Sequence, residues 1–298
     1  RCSEGASVSK DGEMTRFLVV PQWQGSPSAR AMQLIDGAHA IAGDLPRTKT
    51  TVVEVPLEAG ESLGTEVRRL SSLMQVARAQ LDAAASNADA GPERIVTIGG
   101  DAGVATTAAL DAVGAARAHL DPNAVVVWFS AQTSLHNPET SPSKAYESMA
   151  AGALIGTGAP VAADPPLLAP SRLVLVGVRD ASDEEIRAAQ EQGVHFVSGE
   201  EVASNPAAVA EVVASLGARS IFVHVALDVL DPAVINGITN PTPFGLDVVT
   251  VTVAVRAIND LTGDARVTGA ALTGFAPASP EVAVNDLGAI LRIVGALA

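Results

Sequence analysis

The run Val125-Val126-Val127-Trp128-Phe129 carries no polar residue on either face of a strand. Successive strand side chains point to opposite faces, so such a run must be covered on both sides, as in the middle of a parallel sheet. Further strands are predicted at Phe17 to Val20, Thr50 to Val55, Arg94 to Ile98, Arg172 to Val176, Val194 to Val197, Arg219 to Leu227 and Arg266 to Leu272. Helices are expected between them, at Ala29 to Ile41, Leu63 to Ala85, Gly100 to about His119, Lys144 to Ile155, Asp183 to Gln192, Pro206 to Leu216, Leu246 to Leu261 and Pro280 to Leu297. The second shows the helical rule most plainly, with Leu63, Val67, Leu70, Leu73, Met74, Ala77 and Leu81 on one stripe. About eight strands alternating with helices predict an α/β fold with a mostly parallel sheet. Right-handed crossovers leave a three-layer sandwich or a closed barrel, and periodicity alone does not choose.

The chain has 298 residues, 48% of them apolar, enough for a sizeable core. One domain is expected over residues 16–298, behind a mobile N-terminal segment at 1–15, and Gly156 to Pro170 reads as a loop, not a linker. The net charge of -14 excludes nucleic acid and anionic membranes as partners, since both recruit basic patches. No apolar run approaches the roughly 20 residues of a membrane helix, and Arg1 to Glu13 lacks the apolar core of a signal peptide. A cytoplasmic location follows as the expectation. The opening on Arg1 instead of Met implies processing or truncation. The single cysteine, Cys2, has no partner for an internal disulfide and no neighbour that would activate it.

Open α/β sheets place ligands at the carboxyl ends of their strands. Beyond Phe129 come Ser130, Gln132 and Ser134, which would converge on one pocket if the strand continued. None of them ionises near neutral pH. Asp228, at the end of another strand, is expected to bond local backbone, and Asp101 to cap the helix after Gly99-Gly100. Those glycines lack the further glycine and lysine of a phosphate loop. His136, Glu147 and Asp228 are weighed as a rebuilt acid–base or single-metal site. His224 lies on the strand face of Ala226 and is expected as a satisfied, partly buried histidine. His39, His119 and His195 have no companions at ligand spacing.

Three separated stretches together resemble the ureohydrolase family of arginases, agmatinases and formimidoylglutamases. They are Gly99-Gly100-Asp101-Ala102-Gly103, where the family reads GGDH; Trp128-Phe129-Ser130-Ala131-Gln132-Thr133-Ser134, for W-x-D-A-H-x-D; and Ala226-Leu227-Asp228-Val229-Leu230-Asp231-Pro232, for D-x-D-x-x-D-P. The resemblance implies a three-layer α/β/α sandwich with an eight-stranded parallel sheet, usually in a trimer or hexamer. It also implies hydrolysis of guanidino or related C–N bonds with two bridged manganese ions. Such hard cations need carboxylate and imidazole ligands, and the paired ions turn a bridging water into hydroxide.

Carried across, the six ligand positions are Ala102, Ser130, Gln132, Ser134, Ala226 and Asp228, of which only Asp228 keeps a ligand side chain. The acidic residue that orients the guanidinium falls at Gly274, a histidine after the long loop at Glu147, and the second Asp of G-L-R-D-x-D at Ser182. Ser143 survives, the asparagine two residues later is Ala145, and His136 stands where arginases usually have Asn. The framework is retained and the chemistry removed, so the expectation is a pseudoenzyme with no bound metal or cofactor. It would act as a structural or regulatory subunit, as a homo-oligomer or beside an active paralogue. The rivals are a metal-free binder of a small nitrogenous or carboxylated ligand, using His136, Ser143 and Glu147, and an active hydrolase with a rebuilt site.

Overall fold

A computed structural model describes residues 14–86, 93–114, 121–161 and 168–298. The expected N-terminal segment, the far end of the helix towards His119 and the middle of the 156–170 loop lie wholly or mainly outside them. The strands are β1 (Met14–Val20), β2 (Thr50–Val52), β3 (Glu93–Gly99), β4 (Val125–Phe129), β5 (Leu173–Val176), β6 (His195–Val197), β7 (Ser220–Ala226) and β8 (Arg266–Thr273). They form one sheet in the order β2-β1-β3-β8-β7-β4-β5-β6, every pairing parallel. The open order decides for the sandwich over the barrel.

The helices are α1 (Gln33–Gly43), α2 (Leu70–Ala85), α3 (Gly103–Ala112), α4 (Ala150–Leu154), α5 (Asp183–Glu191), α6 (Gly199–Ser204), α7 (Ala208–Ser215), α8 (Val248–Asn259) and α9 (Pro280–Leu297). One layer packs α1, α6, α7, α8 and α9 on Val125, Val127, Phe129, Val223 and Val225. The other packs α2, α3, α4 and α5 on Val126, Trp128, Leu173, Leu175 and Phe222. All five residues of β4 are completely buried, as its apolar run requires.

Three expectations are corrected. The helix expected from Leu63 begins at Leu70, because Leu63 and Arg69 take left-handed backbone (φ 53 and 60) that an α-helix cannot contain. The Lys144 to Ile155 segment is a 3-10 helix, Tyr146–Met149, running into the short α4, because Lys144 is also left-handed (φ 55). The unpredicted α6 carries a full capping box, with the Ser198 side chain bonded to the Glu201 amide and Glu201 reaching back to Ser198.

β3, β8, β7 and β4 are neighbours, so their carboxyl ends gather the segments after Gly99, Thr273, Ala226 and Phe129 into one place. The three motif stretches meet there, although far apart in sequence.

Candidate functional site

The β3 corner is built on close backbone approach. Gly100 donates to Val20 O at 3.0 Å and its carbonyl accepts from Gly274 N at 2.8 Å. A Cβ at Gly100 would run into the Gln22 carbonyl, so only glycine fits. Asp101, completely buried, then ties three segments together. Its Oδ1 accepts from Gly103 N and Gln22 Nε2, and its Oδ2 from Gly25 N, all at 2.8 Å. The expected cap on α3 is therefore present, and the same carboxylate also anchors the loop after β1. Burial outweighs those hydrogen bonds and pushes its pKa up to about 6. Ala102 puts a methyl group into the core beside it.

The three polar residues after β4 do not converge. The strand ends at Phe129, and Ser134 takes left-handed backbone (φ 52), so the alternation that would align them is lost. Ser130 Oγ donates to Asp228 Oδ2 at 3.1 Å and accepts from Gln132 N at 3.1 Å. The Gln132 side chain swings aside to donate to Asp180 Oδ2 at 3.1 Å. Ser134 is buried and its carbonyl accepts from Gly152 N at 2.9 Å.

Asp228 stands in the 3-10 helix after β7 and closes this end of the sheet. Besides Ser130, it accepts from Ala131 N at 3.1 Å through Oδ1, so each carboxylate oxygen accepts one hydrogen bond from the residues just after β4. The expectation of a bond to local backbone is corrected, since its partners belong to the segment after β4, 97 and 98 residues away in sequence. Burial pushes its pKa up to about 6 against the pull of those bonds and of Arg179. Ala226, one turn earlier, offers only a methyl group. Gly274 lies at φ 89, where an acidic side chain would be strained.

The candidate ligand-binding residues share one loop. His136 Nδ1 lies 3.3 Å from Thr140 Oγ1, its Nε2 4.0 Å from Glu185 Oε1, and its amide donates to Ser148 O at 3.0 Å. Thr133 Oγ1 also donates to Glu185 Oε1. Ser143 Oγ accepts from Ala145 N at 3.2 Å and sits 3.4 Å from Ser141 Oγ. The Glu147 amide donates to Gly25 O at 2.9 Å, and its carboxylate accepts from Asn240 Nδ2 at 3.3 Å. Burial, and then the charges of Asp101 and Asp228, push the Glu147 pKa up to about 8. Glu147 therefore feels the carboxyls of both Asp101 and Asp228. Among the direct partners, Asp180 was legible only as the first Asp of the G-L-R-D-x-D match, and Glu185 and Asn240 were not singled out from sequence, since nothing in their local pattern marks them.

His224 departs from expectation. It is completely buried, its ring edge-on to Trp128 at 3.9 Å between centroids, and Nε2 lies 2.8 Å from Thr273 Oγ1. Its Nδ1 has no hydrogen-bond partner among the described residues, so it is satisfied there on one side only. Burial lowers its pKa to about 3 and keeps it neutral.

The donor set at the six aligned positions does not fit a pair of divalent cations. Ala102 and Ala226 have no donor, Ser130, Gln132 and Ser134 are neutral, and Asp228 is the one carboxylate among the six. Among the described residues, no group of three or more His, Cys, Asp or Glu side chains is placed to hold a metal ion.

A family model described as "Arginase family" matches residues 30–289. The chain belongs to the arginase family. Among curated relatives, an arginase from Bacillus caldovelox is 31% identical over 129 residues, 41% of this chain and 43% of that protein. An arginase from Entamoeba histolytica is 23% identical over 252 residues, 78% of this chain and 82% of that protein. The crystal structure of the Entamoeba histolytica arginase with L-ornithine superimposes with a TM-score of 0.79 at 20% identity, covering 96% of this chain and 98% of that one. The native Bacillus caldovelox arginase gives 0.72 at 22% identity, covering 95% and 98%. This arginase-family chain thus has the fold along almost its whole length at low identity, as the resemblance implied.

Proposed function

We propose that this chain is a non-catalytic member of the arginase family, a structural or regulatory subunit that holds no manganese pair. The observation that carries the reading is the donor set at the six aligned positions. Asp228 is the one carboxylate among them, and it is already engaged by Ser130 and the Ala131 amide, where a manganese pair needs several anionic and imidazole ligands. The neighbouring positions exchange ligand for filler, with alanine methyl groups at Ala102 and Ala226 and hydrogen bonds to protein groups at Ser130 and Gln132. Without two cations to polarise a water, nothing else in the pocket supplies a hydroxide near neutral pH. Metal content by mass spectrometry, before and after manganese loading and desalting, tests this together with turnover of arginine, agmatine, guanidinobutyrate and formimidoylglutamate. Near-zero metal and no turnover are expected. One or two retained ions per chain, or turnover that depends on manganese, would return the chain to the hydrolases.

A second reading is favoured by one feature of the pocket. Glu147 faces Asp101 and Asp228, and its own hydrogen-bond partners, Ser26 and Asn240, are neutral. A small cationic nitrogenous ligand seated beside His136, Ser143 and Glu147 would relieve that crowding without any metal. Thermal-shift screening of amino acids, guanidines and polyamines would detect it, and a flat screen would retire this reading.

A further inference from the structure

Asn236 is the one asparagine of eight that precedes a glycine. Three of the others precede proline, which has no N–H, and the rest precede alanine or aspartate. Glycine brings no Cβ, so its amide nitrogen can approach the Cγ of the asparagine before it, and the pair is open to loss of the side-chain amide. Packing imposes the pair here. A Cβ at Gly237 would run into the Phe275 ring, so no larger residue fits. Asn236 itself is exposed, in the irregular segment between β7 and α8.

The same packing guards it. Asp286 of α9 is 3% exposed, and its Oδ2 accepts from Gly237 N at 2.7 Å and from Asn236 N at 3.0 Å. A carboxylate acceptor makes these bonds strong, and its charge opposes the loss of a proton from the Gly237 nitrogen. On the other side the Gly237 carbonyl accepts from Ala276 N at 2.7 Å, and Ile238 pairs antiparallel with Phe275. The nitrogen that would attack is thus bound to α9, and its peptide is fixed on both sides.

We propose that Asn236 is a latent self-modification site and that Asp286 is its lock. When the contact with α9 opens, Gly237 N attacks Asn236 Cγ. The N–Cγ bond forms, the Cγ–Nδ2 bond breaks, and ammonia leaves with the proton of the Gly237 amide. Water then opens the succinimide ring at either carbonyl and leaves aspartate or isoaspartate at position 236. Both products add a negative charge next to the amides that Asp286 holds, and isoaspartate also lengthens the backbone by a carbon, so neither restores the contact. The step runs one way. It also bears on the pocket, because the segment continues through Thr239, bonded to Gly274 O, to Asn240, which donates to Glu147. Neither reading of that pocket is needed for it.

The test is peptide mapping of the full chain by mass spectrometry during incubation near neutral pH, folded and in denaturing urea, with amide exchange measured at Gly237. The folded parent is expected to convert at least about tenfold more slowly than the unfolded chain, with Gly237 among the slowly exchanging amides. Asp286→Asn keeps the side-chain shape without the charge, and is expected to convert about tenfold faster than the folded parent. Ile290→Ala opens a cavity under the same helix with Asp286 intact, and is expected to stay nearer the parent. Conversion of the folded parent at the unfolded rate, or a Gly237 amide that exchanges like an exposed one, would overturn the proposal whether or not the variants fold. An Asp286→Asn variant that keeps the parent rate, or one matched by Ile290→Ala, would overturn it as well.

Discussion

Glu147 is the residue whose ionisation the fold supports least, and its stability consequence has a definite sign. Its carboxyl titrates at about 8 in the folded chain against 4.5 ordinarily. Between those values the folded state holds a proton that the unfolded state has released. Stability therefore falls as pH rises through that window, by up to about 1.4 kcal/mol per pH unit, and the loss is complete above about 8. Asp101 and Asp228 act in the same direction but finish near 6, and the buried neutral His224 adds an opposite slope that ends near its ordinary 6.5, so the range above about 7 isolates Glu147. Glu147→Gln keeps the shape and removes the ionisation. It is expected to raise the urea midpoint over the parent at pH 8.5 and to bring little at pH 5. An equal gain at both values would show that packing, and not charge, is responsible.

At the scale of elements, the segment between β7 and α8 depends on Arg179. Its Nη2 donates to Asp228 O at 2.7 Å, Thr242 O at 2.6 Å and Leu230 O at 3.3 Å. Its Nε donates to Pro243 O at 2.9 Å, and Nη1 to Gly177 O and Val229 O, both at 3.3 Å. Only a planar guanidinium with five donors can span carbonyls spread in this way. Arg179→Met is expected to cost about 2–4 kcal/mol in urea unfolding. Arg179→Lys should restore less than half of that, with faster amide exchange at residues 230–246 in both variants; full rescue by lysine would mean that charge alone matters. Arg179 was legible in sequence only as a framework match, because its role lies in backbone carbonyls that no local pattern displays. Strand positions were far more legible, since a continuously apolar run such as Val125 to Phe129 has few other places to go. Helix starts were less so. The stripe from Leu63 fits a helix, yet left-handed Leu63 and Arg69 defeat it, and tertiary contacts decide such angles. The capping box at Ser198 and Glu201 was a readable signal for α6. At the pocket, residue identities announced the missing ligands, while the swing of Gln132 to Asp180 and the capture of Asp228 by Ser130 needed the end of β4 in three dimensions.

For the whole molecule, the carboxyl ends of four neighbouring strands are tied to one another by protein groups. Asp101 joins the β1 loop to α3, Asp228 joins β7 to β4, and Gly274 joins β8 to β3 through Gly100. His224 and Thr273 add a link between β7 and β8 beneath them. These bonds are internal to the fold, so its stability should not depend on a free cation. A cation that binds the folded state at a hundred times its dissociation constant adds about 2.7 kcal/mol, which for a domain of this size raises the melting temperature by about 5 °C. The expected shift on adding millimolar manganese, or on dialysis against EDTA, is below about 1 °C on this reasoning. A rise of several degrees with manganese that EDTA reverses would mean that Asp228 can be drawn away from Ser130 and Ala131 to serve a metal. The bonds at the end of β4 would then be one state of a switch and not a permanent closure.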